Sequence, residues 1–230
     1  MSSLNLLNSA NNAHAIFSPS QSQWLRYDID KMVDKIINSY RSTLGTELHD
    51  FAATQITLFH RMTSTKNVKE NFETFLYEKY KPDNYDGYEI PDYVKKLLYF
   101  LSYIPKEVFE TIKAYVNDGI KFRMTPEVRI EHSSLFFGTA DCVAFNNDIL
   151  RIHDLKTGVL PVTHLDQLYV YSALFCLTHN IKPIDISFEL RIYQNDQILV
   201  QVPEAIDILK IMEFITNRNK ELESIFKEVI

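Results

Sequence analysis

Two acidic residues and a lysine near the middle of the chain have the types and the spacing of a metal-assisted hydrolytic site. Asp154 and Lys156 lie two positions apart in residues 149–158, an apolar, β-branched run that predicts a buried strand. Side chains two apart in a strand share a face, so we expect the carboxylate and the ammonium to be neighbours. Asp141 belongs to the preceding predicted strand, residues 135–145, and a hairpin could bring it to the same face.

If Asp141 and Asp154 share a face of the hairpin, their carboxylates repel one another unless a cation or a proton offsets their charge. The cost of leaving two partly desolvated like charges together is on the order of several kcal/mol. Mg²⁺ and Mn²⁺ bind carboxylate oxygens and keep coordination positions for water and phosphate. The pattern therefore favours one or two divalent ions bound by Asp141 and Asp154. A surface ion pair between Asp154 and Lys156 is the alternative that these three residues alone leave open.

Further motifs give the chain a resemblance to a nuclease superfamily. The sequence Gly-Thr-Ala-Asp at 138–141, followed by Asp-Leu-Lys-Thr-Gly at 154–158, resembles the active-site signature of the PD-(D/E)XK nucleases in its RecB-like form. Gln167 and Tyr171 match the Gln-x-x-x-Tyr motif of that branch, and Gly-Thr-Glu-Leu-His at 45–49 matches its upstream Gly-x-x-x-His motif. The four motifs occur in the order of the family, and a phage-type exonuclease is the form that they suggest.

The resemblance assigns roles to residues of this chain. It implies a set of metal ligands, namely His49, Glu127, Asp141, Asp154 and the backbone carbonyl of Leu155. Glu127 matches an acid of the first core strand, although Glu131, which alternation places on the same face, is an alternative. Lys156 would hold the attacking water or neutralise phosphoryl oxygens. Gln167 and Tyr171, four apart on one helical face, would complete the catalytic group and hydrogen-bond to the nucleic-acid backbone.

Other residues are candidates for nucleic-acid contact. Thr157 follows the catalytic lysine, and Lys95 and Lys96 lie in a region where tyrosines and lysines alternate, between Tyr77 and Tyr115. Aromatic rings beside lysines suit a single-strand path, because rings stack on bases and ammonium groups contact phosphates. Ordinary helix packing is the competing interpretation.

The order of elements predicts an α/β fold with a restriction-endonuclease-like core, a mixed sheet flanked by helices. We expect one domain, residues 1–230, with a large helical portion at 16–118 and the αβ nuclease core at 120–230. Gly45 is interpreted as the end of a helix over 29–44, and Thr46 as the N-cap of the helix that carries His49. The other predicted helices cover 67–80, 91–103, 105–118, the segment around Gln167 to Asn180, and 204–228. The other predicted strands cover 126–130, 184–193 and 198–202, with a polar N-terminus at 1–15 and a turn at 81–87.

Composition excludes several classes of protein. A net charge of −6 argues against a protein that coats nucleic acid through bulk electrostatics. Cys142 and Cys176 are the two cysteines, so the four-cysteine iron–sulfur variant of the branch is excluded, and we expect both to be reduced core residues. No apolar run approaches the ~20 residues of a membrane span. A cytoplasmic protein is expected, acting in the host cytoplasm if a phage encodes it.

The resemblance implies a metal-dependent deoxyribonuclease, an exonuclease or end-processing enzyme of recombination, repair or replication. Its partner would be DNA with linear or single-stranded ends, and a helicase or single-strand-annealing protein is a candidate for delivering it. A structure-selective or site-specific endonuclease on the same fold is one alternative. A nuclease-like module that binds DNA or a protein without cutting is another. The sequence leaves the oligomeric state, the polarity of digestion and the choice between Mg²⁺ and Mn²⁺ open.

Overall fold

The computed structural model of the protein describes residues 16–81, 90–158, 160–162 and 165–229. The predicted polar N-terminus at 1–15 and nearly all of the predicted turn at 81–87 lie outside these residues. The chain divides into two compact units between Leu44 and Gly45. All of the sheet and every predicted site residue belong to the second unit.

The helices and strands follow one another largely as the periodicity predicts. The helices are α1 Ile29–Thr57, α2 Thr65–Tyr80, α3 Asp92–Leu101, α4 Lys106–Lys121, α5 Asp166–His179 and α6 Ala205–Val229. The strands are β1 Thr125–Ser133, β2 Phe136–Asn146, β3 Ile149–Leu155, β4 Ser187–Gln194 and β5 Gln197–Gln201. Short 3-10 helices cover Pro19–Arg26 and Pro183–Asp185. Among the described residues, no helix combines the length and the apolar character needed to cross a membrane.

The five strands form one mixed sheet in the order β1-β2-β3-β4-β5. Neighbouring strands run antiparallel except β3 and β4, which are parallel and joined through α5. Helix α5 packs against β1, β2 and β3, and α4 packs against β3 and β4. The mixed α/β architecture and the helical N-terminal region are therefore as predicted, with β3, the strand of Asp154, in the middle of the sheet.

The core explains why β3 reads as an apolar run. Leu150 and Ile152 are fully buried and belong to one cluster with Leu168 and Leu174 of α5. A strand in the middle of a sheet with helices packed on it has little contact with solvent, so its apolar side chains are buried. Its polar residues are Arg151, His153 and Asp154, and the last two are buried as well.

The predicted helix end at Gly45 is wrong, because α1 continues through this residue to Thr57. A β-carbon at position 45 would lie 3.0 Å from the Thr157 hydroxyl oxygen, which is a close contact. The glycine thus allows α1 to lie close to the loop after β3. This close packing, and not the end of a helix, explains why a glycine occupies position 45. His49 consequently lies inside a long helix and not in a first turn.

Candidate active site

Asp154 and Lys156 are in direct contact where β3 ends. The Lys156 ammonium donates a hydrogen bond to Oδ1 of Asp154 at 3.0 Å and to Oε1 of Gln167 at 3.2 Å. The Asp154 side chain is 4% exposed and that of Lys156 is 29% exposed. The lysine therefore joins a buried carboxylate to the first turn of α5, as the alternation of the predicted strand and the Gln-x-x-x-Tyr motif suggest.

Asp141 lies beside this pair on β2, one position beyond the Cys142–His153 pair of the β2–β3 register. Its Oδ2 accepts a hydrogen bond from the backbone N–H of Leu155 at 2.8 Å. The same oxygen lies 3.5 Å from Nδ1 of His49 on α1. Asp141 thus contacts both the backbone at the end of β3 and a histidine of α1.

The electrostatics of Asp154 reflect its burial among charges. The Asp154 pKa is raised from 3.8 to about 6, mainly by burial and then by the charge of Asp141, while Lys156 and His49 act in the opposite direction. Oδ2 lies 2.9 Å from the Lys156 nitrogen, yet it is buried and accepts no hydrogen bond. A buried carboxylate next to a second carboxylate is a place where an added cation would be stabilised.

Glu127 faces the same cluster from β1. The regular pairing passes from Pro126–Cys142 to Val128–Ala140, and Glu127 between them has a left-handed φ of 53°. The Glu127 side chain reaches solvent. Partial burial raises its pKa, and the negative charges of Asp141 and Asp50 raise it further.

Glu131, the alternative acid of β1, forms a surface pair with Arg129 at 2.7 Å. The position next to Asp141 therefore favours Glu127. A non-glycine residue with a left-handed backbone in a strand is strained, and such strain concentrates at functional sites.

Helix α5 packs over β2 through Tyr171. The Tyr171 hydroxyl donates a hydrogen bond to the backbone carbonyl of Thr139 at 2.6 Å. A β-carbon on Gly138 would lie 2.8 Å from the Tyr171 ring, so only glycine leaves room for it. Tyr171 thereby fixes α5 against the strand that carries Asp141, and Gln167 of the same helix contacts Lys156.

The other residues predicted to contact nucleic acid lie beside the acidic cluster of Asp141 and Asp154 or away from it. Thr157 approaches Gly45 of α1, as described above. Lys95 and Lys96 are exposed on α3, where Lys95 pairs with Asp92 at 3.1 Å. No hydrogen bond or ion pair within the described parts of the chain links either lysine to the acidic cluster.

The tyrosines of the helical portion serve different purposes. Tyr115 is buried, and Tyr80 bonds to a buried acid, so these two are packing residues. Tyr99 and Tyr103 are more than half exposed, with hydroxyl oxygens 2.9 Å apart. Only the exposed tyrosines fit the predicted single-strand path.

A charged group that sequence reasoning missed holds α1 next to the site. Glu47 is buried, and its carboxylate accepts hydrogen bonds from the Lys79 ammonium at 2.7 Å and the Tyr80 hydroxyl at 2.6 Å. Lys79 also contacts Asp50 at 2.7 Å. Burial lowers the Lys79 pKa, but hydrogen bonds and charge from Asp50 and Glu47 raise it overall. This contact between α1 and α2 fixes the turn of α1 that carries His49. No local sequence motif predicts the roles of Lys79 and Tyr80.

Gln194 of β4 is a second missed residue. Its amide oxygen accepts from Val162 N–H at 2.7 Å, and its amide nitrogen donates to the carbonyls of Gly158 and Leu160, each at 2.8 Å. One buried side chain thus fastens the connection between Lys156 on one side and α5 on the other. The partners lie more than thirty residues away in sequence, so local pattern could not reveal this contact.

A buried polar network supports the opposite face of β3. His153 is fully buried, and its Nδ1 lies 3.2 Å from the Tyr193 hydroxyl, which donates to Asp118 at 2.7 Å. Burial, followed by the charges of Arg191 and Arg151, lowers the His153 pKa to about 3. A neutral histidine here packs in the core.

These residues define an α/β protein with a lysine–carboxylate site at the end of a central strand. Across 16–81, 90–158, 160–162 and 165–229, no three His, Cys, Asp or Glu side chains converge closely enough to form a complete metal-ligand group. Residues 14–182 match the family described as "Protein of unknown function (DUF2800)", and the chain belongs to that family. No curated protein and no solved structure matches the chain.

Proposed function

We propose that this protein is a metal-dependent deoxyribonuclease of RecB-like, PD-(D/E)XK type. The observation that carries the proposal is the contact of Lys156 with both Asp154 and Gln167, next to Asp141 and His49. The Gly-x-x-x-His motif at 45–49 lies far upstream of the other three motifs, which fall within residues 138–171. A chance combination of motifs gives no reason for their side chains to meet.

The chemistry of the donor set suits a hard divalent cation. His49, Asp141 and Asp154 would hold Mg²⁺ or Mn²⁺, with Glu127 and the carbonyl of Leu155 as further ligands, and the burial of Asp154 beside the charge of Asp141 supports this fit. The bound ion would stabilise negative charge on the phosphoryl group and lower the pKa of a water molecule.

The protein's own residues would orient the reaction. The Lys156 ammonium donates to Asp154 and Gln167, so its third N–H can hold a phosphoryl oxygen or the attacking water. Gln167 accepts from the ammonium and limits its rotation, and the N–H of Leu155 fixes the Asp141 carboxylate. Groups fixed before substrate arrives need little rearrangement in the transition state.

Exonuclease or end-processing action is the more specific part of the proposal and rests on the family resemblance. DNA ends would be the substrate, in the cytoplasm, with a helicase or annealing protein as a candidate partner. Linear, nicked and covalently closed circular DNA, each labelled and incubated with Mg²⁺, Mn²⁺ or chelator, tests it. Degradation of linear DNA alone supports an exonuclease, while linearised or nicked circles identify an endonuclease.

The chain offers a matched control for the catalytic pair. Arg129 and Glu131 form a cation–carboxylate pair with the same two-residue spacing as Lys156 and Asp154, but on the surface. Lys156→Met should reduce cleavage by roughly 100-fold or more, whereas Arg129→Met should leave it unchanged. Equal activity of the two variants, or no cleavage by the wild-type protein with either ion, would contradict the proposal.

A further inference from the structure

The outer edge of the sheet carries an unprotected apolar strand. β5 is the terminal strand of the sheet, and among the described strands only β4 pairs with it. All five of its residues are exposed, and Ile198, Leu199 and Val200 are each between 41% and 50% exposed. An edge strand leaves alternate backbone N–H and C=O groups unpaired on its outer side, which is a template for another strand.

The usual protections of an edge are missing within residues 197–201. Gln-Ile-Leu-Val-Gln contains no charge and no proline. The β4–β5 register is constant from Leu190–Gln201 to Gln194–Gln197, so no bulge twists the strand away. Natural sheets generally blunt a free edge by one of these devices, and an edge without them commonly pairs.

The order of the residues indicates what the partner is. Read from either end, the strand has the same pattern: amide, β-branched, leucine, β-branched, amide. In an antiparallel pair of two copies centred on Leu199, that leucine lies opposite its own copy, Ile198 opposite Val200, and Gln197 opposite Gln201. Directly opposite side chains share a face and interact, so every pair is matched in chemistry.

The flanking charges and the other registers favour the same arrangement. In the centred register Asp196, just before the strand, lies opposite Val202 and not opposite an acid. A shift by two residues in one direction places Gln197 opposite Leu199 and Asp196 opposite Val200, and a shift by two in the other direction places Gln201 opposite Leu199. A shift by one exchanges the faces of every side chain. Val202 and Ile206, 68% and 49% exposed, enlarge the apolar surface beside the strand.

From the edge position, the exposure and the symmetric sequence, we propose that β5 forms an antiparallel pair with β5 of a second copy of this chain. The result is a two-fold symmetric dimer with one continuous ten-stranded sheet. Because the contact is isologous, it closes at two copies and does not propagate. The interface is small, so we expect a dissociation constant on the order of micromolar. This proposal is independent of the nuclease function.

Sedimentation velocity from about 1 to several hundred micromolar protein tests the dimer, because a micromolar equilibrium changes its populations in that range. Wild-type protein should pass from monomer to dimer as concentration rises. Leu199→Lys should remain monomeric at all of these concentrations, since it places two ammonium groups opposite each other. Ile184→Lys, at an apolar residue that is 78% exposed and outside the strand, is the matched control and should dimerise like the wild type.

Mixing two charged variants tests the register itself. Leu199→Lys and Leu199→Glu should each be monomeric alone and should form a heterodimer when combined, because opposite charges then face each other across the two-fold axis. Position 199 is exposed, so both variants should keep the circular dichroism spectrum of the wild type. A monomeric or trimeric wild type, or a Leu199→Lys protein that still dimerises, would overturn the proposal. Failure of the mixture to associate would overturn the centred register.

Discussion

The Lys156 ammonium bonds simultaneously to Asp154 at the end of β3 and to Gln167 at the start of α5. This bridge joins the two ends of a connection in which Gln194 supplies three further hydrogen bonds. The lysine therefore does more than neutralise a carboxylate, because it also sets where α5 begins relative to the sheet.

Asp154→Asn should make the metal-free protein more stable at neutral pH. The wild-type carboxyl has a folded pKa of about 6 against an ordinary 3.8, so between these values the folded state binds more protons than the unfolded state. Wild-type stability should accordingly fall as pH rises from about 4 to 6, by at most about 3 kcal/mol from this group. Urea unfolding at a series of pH values should show a flatter profile for the variant. A steeper one would contradict the burial argument.

Divalent metal should stabilise the folded protein, since ions that bind only the native carboxylates add stability by mass action. At a concentration a hundred times the dissociation constant the gain is about 2.7 kcal/mol, or roughly 5 to 10 °C in melting temperature. Asp141→Asn should reduce this shift, measured by calorimetry with Mn²⁺. Asp148→Asn, in the turn between β2 and β3, is the control and should respond like the wild type. An identical response of both variants would exclude Asp141 as a ligand.

His49→Ala should weaken metal binding and reduce cleavage by roughly 10 to 100-fold. The loss of affinity should be larger with Mn²⁺ than with Mg²⁺, because Mn²⁺ accepts nitrogen ligands more readily. Isothermal titration of both ions gives a readout apart from activity. His60→Ala, an exposed histidine just after α1, provides the comparison. A His49 variant with unchanged affinity for both ions would remove this residue from the metal site.

Gln194→Leu should impair the site without removing any group from it. The substitution keeps the side-chain volume but leaves the Val162 N–H and the Gly158 and Leu160 carbonyls without their partner. Unsatisfied buried polar groups cost about 1–3 kcal/mol each, less where water replaces the contact. We expect lower stability, a reduced kcat and little change in the metal affinity at Asp141. Gln197→Leu, on the exposed strand β5, is the control. Wild-type kcat in the Gln194 variant would show that the connection does not position α5.

What could be predicted from the sequence follows from how local each feature is. The β2–β3 hairpin and the contact of Asp154 with Lys156 depend on alternation over a few residues, and both are observed. Gly45 misled the assignment of α1, because a glycine that permits close packing looks the same in sequence as one that ends a helix. The left-handed backbone of Glu127 has no signal in the residue type, since glutamate rarely adopts it.

Contacts between distant elements were beyond such reasoning. Lys79 meets Glu47 across two helices, and Gln194 meets the loop after β3, through tertiary packing that single-sequence periodicity does not encode. The family resemblance predicted one long-range contact, the approach of His49 to Asp141, which no local pattern indicates. In the structure α1 brings Nδ1 of His49 to 3.5 Å from Oδ2 of Asp141, although the two residues are far apart in sequence.

The sequence separation of the site residues also sets the order in which the site can assemble during folding. Asp141 and Asp154 belong to a hairpin whose strands meet across the short turn after Asn146, and local pairs of this kind close quickly. The parallel pairing of Ile149 with Ser187 and the approach of His49 need much longer loops to close. A metal ion that binds through His49 therefore stabilises contacts that form late in folding. It should slow unfolding more than it accelerates refolding.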